Sequence, residues 1–285
     1  MSCFPWPSFA LLLLLAAALW GQEPILRVPV RLVVAPTSVT DHSGNFINGL
    51  TAADFRLYDN DVPQQIHEDG DFLPISLAIA VQTNLKKQVV ERVRELGPLL
   101  GALVVGVGGE AAIFTFDKEL HVRQDFTPDL GRLTRALRGV EFNRAPSDPA
   151  KVVFDACQLL DRRPELRRRI LLLISEPYPN PGHSDVGPDS ALSNTLIYWL
   201  NVGHGTGPED LLSSLTSYTG GRQFALGNQH ALERAITQIG EEIHGQYLLS
   251  YTPSGSGKDG FHGIRVVATR AGVTVRSRPG YWTSN

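Results

Sequence analysis

The strongest constraint on the fold is a short apolar run, Ile75–Val81, followed almost at once by a helical pattern that begins at Lys86. A strand that is apolar on both faces is typical of a parallel sheet covered by helices on each side. Similar runs alternate with helical patterns from Leu73 to about Gly245. The sequence therefore predicts an α/β domain over residues 73–245, with a doubly wound, mostly parallel sheet of Rossmann-like type.

The elements of this domain are predicted from the apolar periodicity of each segment. The predicted strands are Ile75–Val81, Glu110–Phe116, Ile170–Ser175 and Leu196–Val202. The predicted helices are Lys86–Leu103 with a break near Gly97, Asp129–Leu137, Ala150–Asp161, a short polar one at Asp189–Leu192, Pro208–Thr219 and His230–His244.

Two segments with β-type alternation flank the α/β domain, at residues 26–72 and 246–285. Turns are predicted at Asp41–Gly44 and Asp59–Asp61, and Thr51 is predicted to cap a single helical turn. A C-terminal hairpin is predicted to turn at Ala271–Gly272. Because an isolated hairpin leaves its edges exposed, we expect the two segments to pair into a small accessory sheet or sandwich.

Residues 1–21 contain an apolar core, Phe9–Leu19, that is shorter than the about 20 residues of a membrane span. This length favours a secretory signal peptide, with a retained N-terminal anchor as the alternative. The chain is therefore expected to be exported, to the periplasm or beyond the cell, and to touch a membrane only if this segment is retained. Cys157 would then be the one remaining cysteine, and its apolar helical setting predicts a buried structural thiol.

The two β segments carry the most specific motifs of the chain. VVAPTSVTDHSGNFINGLTAADFRLYDNDVPQQI at 33–66 and GQYLLSYTP with GIRVVATRAGVTVRSRPGY near the C-terminus resemble the ends of a von Willebrand factor A-related (vWA-related) family of mainly acidobacterial exported proteins. IFTFDKELHVRQDFT and LTSYTGGRQFAL, which lie between them, are similar to the same family. The resemblance covers nearly all of the chain after the leader and implies a vWA-type α/β domain.

Domains of this type usually bind a divalent cation at the carboxyl edge of the sheet, through Asp-x-Ser-x-Ser, a Thr and a second Asp. The resemblance places these ligand positions at Gln82, Asn84, Lys86, Lys151 and Glu176. Amides and ammonium groups are poor ligands for a hard cation, which prefers carboxylate oxygens. We therefore expect a degenerate metal site without a metal. One hypothesis is that an ion pair of Lys86 and Lys151 with Glu176 replaces the cation; the alternative is that both lysines face solvent.

Several classes of ligand are disfavoured by the sequence. A formal net charge of -3 argues against a nucleic-acid surface. The glycine-rich stretch 106–110 precedes a strand instead of following one, so it lacks the geometry of a dinucleotide loop. No cofactor of any kind is expected.

The favoured function is a non-enzymatic, adhesion-type protein-interaction domain that binds an unknown protein through loops at 82–86, 145–151 and 176–189. The candidate contact residues are Thr83, Asn84, Tyr178, His183 and Asp185. Two alternatives remain open. One is a hydrolase that uses His183, His204 or Glu176, and the other is a structural module that recruits a partner strand through its terminal β region.

Overall fold

The computed structural model describes residues 32–68, 73–103, 108–164, 167–178, 194–203, 210–226, 231–254 and 259–283. The chain divides into residues 1–31 and 32–285, and the fold below is that of the second unit. Five sequence predictions lie outside the described residues: the leader at 1–21, the short helix at 189–192, His183, Asp185 and His204.

The strands and helices are numbered along the chain. The strands are β1 Val33–Thr40, β2 Phe55–Asp59, β3 Val62–Gln64, β4 His67–Glu68, β5 Ile75–Gln82, β6 Glu110–Phe116, β7 Leu120–Thr127, β8 Arg168–Ser175, β9 Thr195–Asn201, β10 Arg222–Ala225, β11 Tyr247–Tyr251, β12 Gly260–Ala268, β13 Thr274–Ser277 and β14 Gly280–Thr283. The helices are α1 Lys87–Glu95, α2 Gly97–Leu103, α3 Leu130–Arg138, α4 Pro149–Asp161, α5 Leu211–Tyr218 and α6 Ala231–Gly245.

The central sheet has six strands in the order β10-β9-β8-β5-β6-β7. Every neighbouring pair is parallel except β6 and β7, which are antiparallel. The first strand along the chain, β5, lies in the middle of the sheet. Strands β6 and β7 follow on one side of it, and β8, β9 and β10 follow on the other side. This reversal makes the β5–β8 boundary the topological switch point of the sheet. The predicted doubly wound, mostly parallel α/β fold is confirmed.

The strand that begins the sheet is buried along its whole length, as its apolar sequence predicts. Leu77, Ile79 and Val81 of β5 face one hydrophobic core, and Ala78 and Ala80 face another on the opposite side. The first core is covered by α1, α2, α3 and α6, and the second by α4 and α5. The thiol of Cys157 in α4 is buried in the second core, as expected.

The helix break predicted near Gly97 separates α1 from α2. A Cβ at Gly97 would lie 2.7 Å from the side chain of Thr134, so the absence of a side chain allows this turn to pack against α3.

Two strands of the central sheet were not predicted. The edge strand β7 is exposed over most of its length and carries charged residues, so it lacks an apolar run. The opposite edge strand β10 has only four residues and begins at Arg222. Edge strands face solvent and are often short and polar, which removes the periodicity that reveals central strands.

Two four-stranded antiparallel sheets, β13-β1-β11-β4 and β14-β12-β2-β3, flank the α/β domain. Each sheet combines strands from both terminal segments, and their buried side chains form one hydrophobic core. The expected pairing of the two segments is confirmed, as a two-sheet sandwich. The predicted hairpin at Ala271–Gly272 is wrong, because β12 and β13 are joined to different sheets. Gly272, with φ of 73°, forms the turn between them.

Local turn chemistry in the first segment follows the sequence. Asn60 and Asp61 connect β2 to β3 with positive φ angles of 47° and 62°, the signature of a type I′ hairpin turn. The backbone N–H of Asn60 donates to Gly263 O at 2.8 Å, which ties this turn to β12. Thr51 and Asp54 form the two halves of a capping box around the predicted helical turn.

The sandwich is joined to the α/β domain through a buried carboxylate, Glu242 of α6, which has no exposed surface. Its Oε1 accepts a hydrogen bond from the Tyr198 hydroxyl at 2.6 Å and forms an ion pair with the guanidinium of Arg276 from β13. The same guanidinium donates to the carbonyls of Gly220 and Gly221 at 2.6 and 2.8 Å. One arginine of the sandwich therefore connects α6 with the turn between α5 and β10.

We expect Arg276→Met to lower the free energy of unfolding by about 3 kcal/mol or more, because it removes the closest cation from a fully buried carboxylate. The measurement is urea denaturation followed by circular dichroism. The double variant E242M/R276M should lose less than R276M alone, since it leaves no buried charge behind. A single variant within about 0.5 kcal/mol of wild type would contradict this role.

Candidate functional site

The carboxyl ends of the parallel strands lie along one edge of the central sheet, which we call the rim. It consists of residues 82–86 after β5, 116–117 after β6, 140–148 before α4, 176–178 after β8 and 201–203 after β9. In open α/β sheets, ligands bind at this edge, at the switch point. Here the switch point lies between the ends of β5 and β8.

Gln82 occupies the switch point and is 3% exposed. Its side-chain Oε1 accepts a hydrogen bond from the backbone N–H of Glu176 at 2.9 Å, across the gap to the loop after β8. Its Nε2 donates to Asn84 Oδ1 at 2.7 Å. Both the oxygen and the nitrogen of the Gln82 amide are therefore hydrogen-bonded within the protein. The bond from Glu176 crosses the crevice between the ends of β5 and β8.

Thr83 is also buried, with 4% of its surface exposed. Its backbone N–H donates to Phe116 O at 3.0 Å, and its hydroxyl lies 3.0 Å from the same carbonyl and 2.9 Å from Asn143 Oδ1. The backbone N–H of Asn143 returns a hydrogen bond to Thr83 O at 3.0 Å. Thr83 thus ties the end of β6 and the loop before α4 to the end of β5.

The loop 140–148 has no regular secondary structure and is held at several points. Asn143 is bonded to Thr83, and its Oδ1 also accepts from the backbone N–H of Ala145 at 3.0 Å. The backbone N–H of Asp148 donates to Asp117 O at 2.9 Å. Asp148 then caps α4 by accepting from the N–H of Lys151 at 3.1 Å. The loop is therefore fixed at both its middle and its end.

This loop displays Phe142, which is 43% exposed and is flanked by the exposed residues Glu141 and Arg144. The sequence analysis missed Phe142. It lies in a segment without periodicity, so no pattern distinguishes a buried aromatic from an exposed one there. The available signal was its position, next to Glu141, two residues from Arg144 and close to Pro146, which precedes α4.

The structure does not support the hypothesis that lysines pair with Glu176 across the rim. Lys151 Nζ forms an ion pair with Asp155 Oδ2 at 2.6 Å, one turn along α4. The hydrogen bond that Lys151 donates to Asp155 is the main reason that the pKa of Lys151 is raised. Lys86 is exposed at the start of α1. Within the described residues, Glu176 is joined to the rim through its backbone N–H, so the ion-pair hypothesis is wrong in the form proposed for Lys151.

The residues at the expected ligand positions do not fit a hard divalent cation. The Gln82 carbonyl oxygen accepts from the Glu176 N–H, and the Asn84 oxygen accepts from Gln82, so both neutral oxygens are already hydrogen-bonded within the protein. In the described ranges, no three His, Cys, Asp or Glu side chains come together as metal ligands. Glu176 supplies the one carboxylate of the five positions, and a single carboxylate falls short of the several oxygen ligands that Ca²⁺ takes.

The candidate contact residues differ in how much surface they offer. Asn84 and Tyr178 are half-buried at the rim, whereas Thr83 is enclosed. Burial, followed by the charge of Asp148, raises the pKa of the Tyr178 hydroxyl, so this side chain remains neutral. His183 and Asp185 fall outside the described residues. Of the predicted contacts, Asn84 and Tyr178 therefore combine a described position at the rim with accessible surface.

Asp117 and His121 form a second polar pair near the rim, across the β6–β7 turn. His121 Nε2 lies 3.2 Å from Asp117 Oδ1, and this hydrogen bond is the first cause of the lowered pKa of Asp117. Both side chains are accessible to solvent: His121 is 48% exposed and Asp117 is 22% exposed. The pair stabilises the turn that receives the Asp148 N–H.

No family model matches the chain, and no curated protein matches it in sequence. Several solved structures are similar in fold. Conserved hypothetical protein BatB from Bacteroides thetaiotaomicron has a TM-score of 0.47 at 13% identity, over 59% of this chain and 98% of that one. A von Willebrand factor type A protein from Catenulispora acidiphila has a TM-score of 0.49 at 9% identity, over 88% and 74% of the two chains.

A third structure, proximal thread matrix protein 1 from the mussel byssus, has a TM-score of 0.48 at 14% identity, over 68% of this chain and 50% of that one. All three TM-scores are below 0.5, so the assignment of the fold rests on the strand order given above. None of the helices in the described ranges has the length and apolar character needed to cross a membrane.

We expect Thr83→Val to lower the free energy of unfolding by about 1–3 kcal/mol, because a buried hydroxyl that bonds with Phe116 O and Asn143 Oδ1 is lost while the side-chain volume is kept. Urea denaturation measures the change. Thr83→Ser retains the hydroxyl and is the matched control, which should retain most of the stability. Equal losses in the two variants would assign the effect to packing and contradict the hydrogen-bonding role.

Proposed function

We propose that this chain is an exported, non-enzymatic, vWA-like protein-interaction domain whose rim contacts a partner protein without a divalent cation. The observation that carries the proposal is Phe142, an aromatic side chain with 43% exposure, displayed by a loop that is fixed to the rim. Large aromatic residues are enriched at the centres of protein interfaces, where a few of them supply most of the binding energy.

The setting of Phe142 supports this role more than its exposure alone, since single exposed apolar residues are common. Hydrogen bonds at Asn143 and Asp148 hold the loop, so ordering it on binding would cost little entropy. Glu141 and Arg144 provide opposite charges beside the ring, as in the polar surround of an interface anchor. The half-buried Tyr178 adds a second aromatic residue at the same edge.

The polar groups of the rim support binding more than catalysis. The side chains of Gln82, Thr83 and Asn143 direct their hydrogen-bonding atoms at other groups of the protein, whereas a catalytic site directs them at a position for substrate. For the same reason we infer that the rim works without a metal.

The terminal strands are a weaker candidate for partner binding, because the edges of the sandwich are short. The edge strands β4 and β3 have two and three residues, and β3 contains Pro63, which has no N–H to offer a partner strand. The other two edges, β13 and β14, have four residues each. Short edges of this kind resist the addition of a further strand.

Metal independence predicts that the melting temperature is the same in Mg²⁺, in Ca²⁺ and in EDTA. A site that is saturated at one hundred times its Kd would add about 2.7 kcal/mol of stability, which corresponds to several degrees in a domain of this size. Differential scanning fluorimetry checks this. A rise of several degrees in either cation that EDTA reverses would contradict metal independence.

We expect Phe142→Ser to reduce partner capture at least about tenfold, the loss typical of an interface anchor. The measurement is a quantitative pull-down from a native envelope extract, with EDTA present throughout. Phe261→Ser is the matched control, because Phe261 is exposed to 44% on β12 of the sandwich. A loss with F261S that equals the loss with F142S would contradict binding through the rim.

A further inference from the structure

The rim is held together by side chains that carry no charge. The end of β5 supplies the Gln82 amide and the Thr83 hydroxyl, and the loop before α4 supplies the Asn143 amide. These three side chains connect the loops that follow β5, β6 and β8 with the loop 140–148. Four separate segments are thus joined through two groups of hydrogen bonds, which start from the adjacent residues Gln82 and Thr83.

No apolar residue can make the hydrogen bonds that the Gln82 side chain makes. It is nearly enclosed, at 3% exposure, and it crosses the switch point to reach the backbone N–H of Glu176. Without Gln82, this N–H would lose its acceptor at the place where the two halves of the sheet diverge. A glutamine satisfies both neighbours, because its oxygen accepts from Glu176 while its nitrogen donates to Asn84.

We propose that Gln82 is a positioning residue: its side-chain amide is a neutral clasp that stands in the place of a cation and holds the loops after β5 and β8 in one arrangement. This inference rests on the proposed function for its biological meaning, because the loop after β8 carries Tyr178 at the same rim as Phe142. The clasp itself is a property of the free protein. It makes the order of the rim independent of divalent ions.

The test is hydrogen exchange of single backbone amides in the full-length protein, measured by NMR. Gln82→Met keeps the length of the side chain and removes both hydrogen bonds. The N–H of Glu176 should then exchange at least about tenfold faster, because a local hydrogen bond of ordinary strength is lost. The N–H of Ile264, which donates to Pro279 O in the sandwich, should keep its wild-type rate.

A second pair of variants separates positioning from general stability. Asn84→Asp leaves a carboxylate oxygen that still accepts from Gln82, so protection of the Glu176 amide should remain within about twofold of wild type. Asn84→Ala removes the acceptor at a half-buried position, and exchange at Glu176 should rise. This pair keeps the proposal testable if Gln82→Met fails to fold.

Gln88→Glu is the matched control, because it converts an amide to a carboxylate at an exposed position of α1. It should leave the exchange rate of the Glu176 amide unchanged. Equal exchange rates at Glu176 in wild type and Gln82→Met would overturn the clasp. So would a slowing of this amide in wild type when Mg²⁺ is added, since it would show that a cation orders the rim. The pull-down with Phe142→Ser tests the contact surface independently, so failure of one proposal is distinguishable from failure of the other.

Discussion

A buried carboxylate sets the arrangement of the two parts of this fold. Glu242 has no exposed surface, so its charge must be balanced by nearby donors, and these come from β9, β10 and β13. A second, half-buried charge is that of Arg168, which donates to Ile243 O and Gln246 Oε1 at the end of α6. Desolvation lowers the pKa of Arg168 to about 10, which leaves it charged at neutral pH. Separating the sandwich from the sheet would remove Arg276 from Glu242.

The two ends of the central sheet are therefore stabilised by different chemistry. At the amino ends of the strands, arginines dominate: Arg163 forms two hydrogen bonds to Glu110 at the start of β6, and Arg167 reaches Ser76 near the start of β5. At the carboxyl ends of β5 and β8, amides and hydroxyls take this role: Gln82 accepts from the Glu176 N–H, and Thr83 bonds to Asn143. Ion pairs attach the sandwich to the α/β domain, whereas hydrogen bonds between neutral groups hold the rim, the edge that we propose for partner binding.

The sequence predicted the central strands because burial on both faces leaves an apolar run, as in β5 and in Ile170–Ser175 of β8. It missed β7 and β10, whose exposed edges have no such run. The turn at Ala271–Gly272 was located, but turn residues do not specify which sheet the next strand joins. Lys151 was assigned to the rim, although the spacing to Asp155 on a predicted helix already favoured an i,i+4 pair. The hydrogen bonds of Gln82 depend on the distance between two strand ends, which sequence spacing does not contain.

The mixing of terminal strands within each sheet has a consequence for the time at which this protein folds. The Tyr247 hydroxyl donates to Ile47 O, 200 residues earlier in the chain, and β1 finds its main partner only in β11. Contacts this distant in sequence form slowly, because a large loop must close first. During synthesis, β1 remains without β11, and β2 without β12, until nearly the whole chain has emerged. The sandwich can therefore close only after the α/β domain that lies between its two segments has been synthesised.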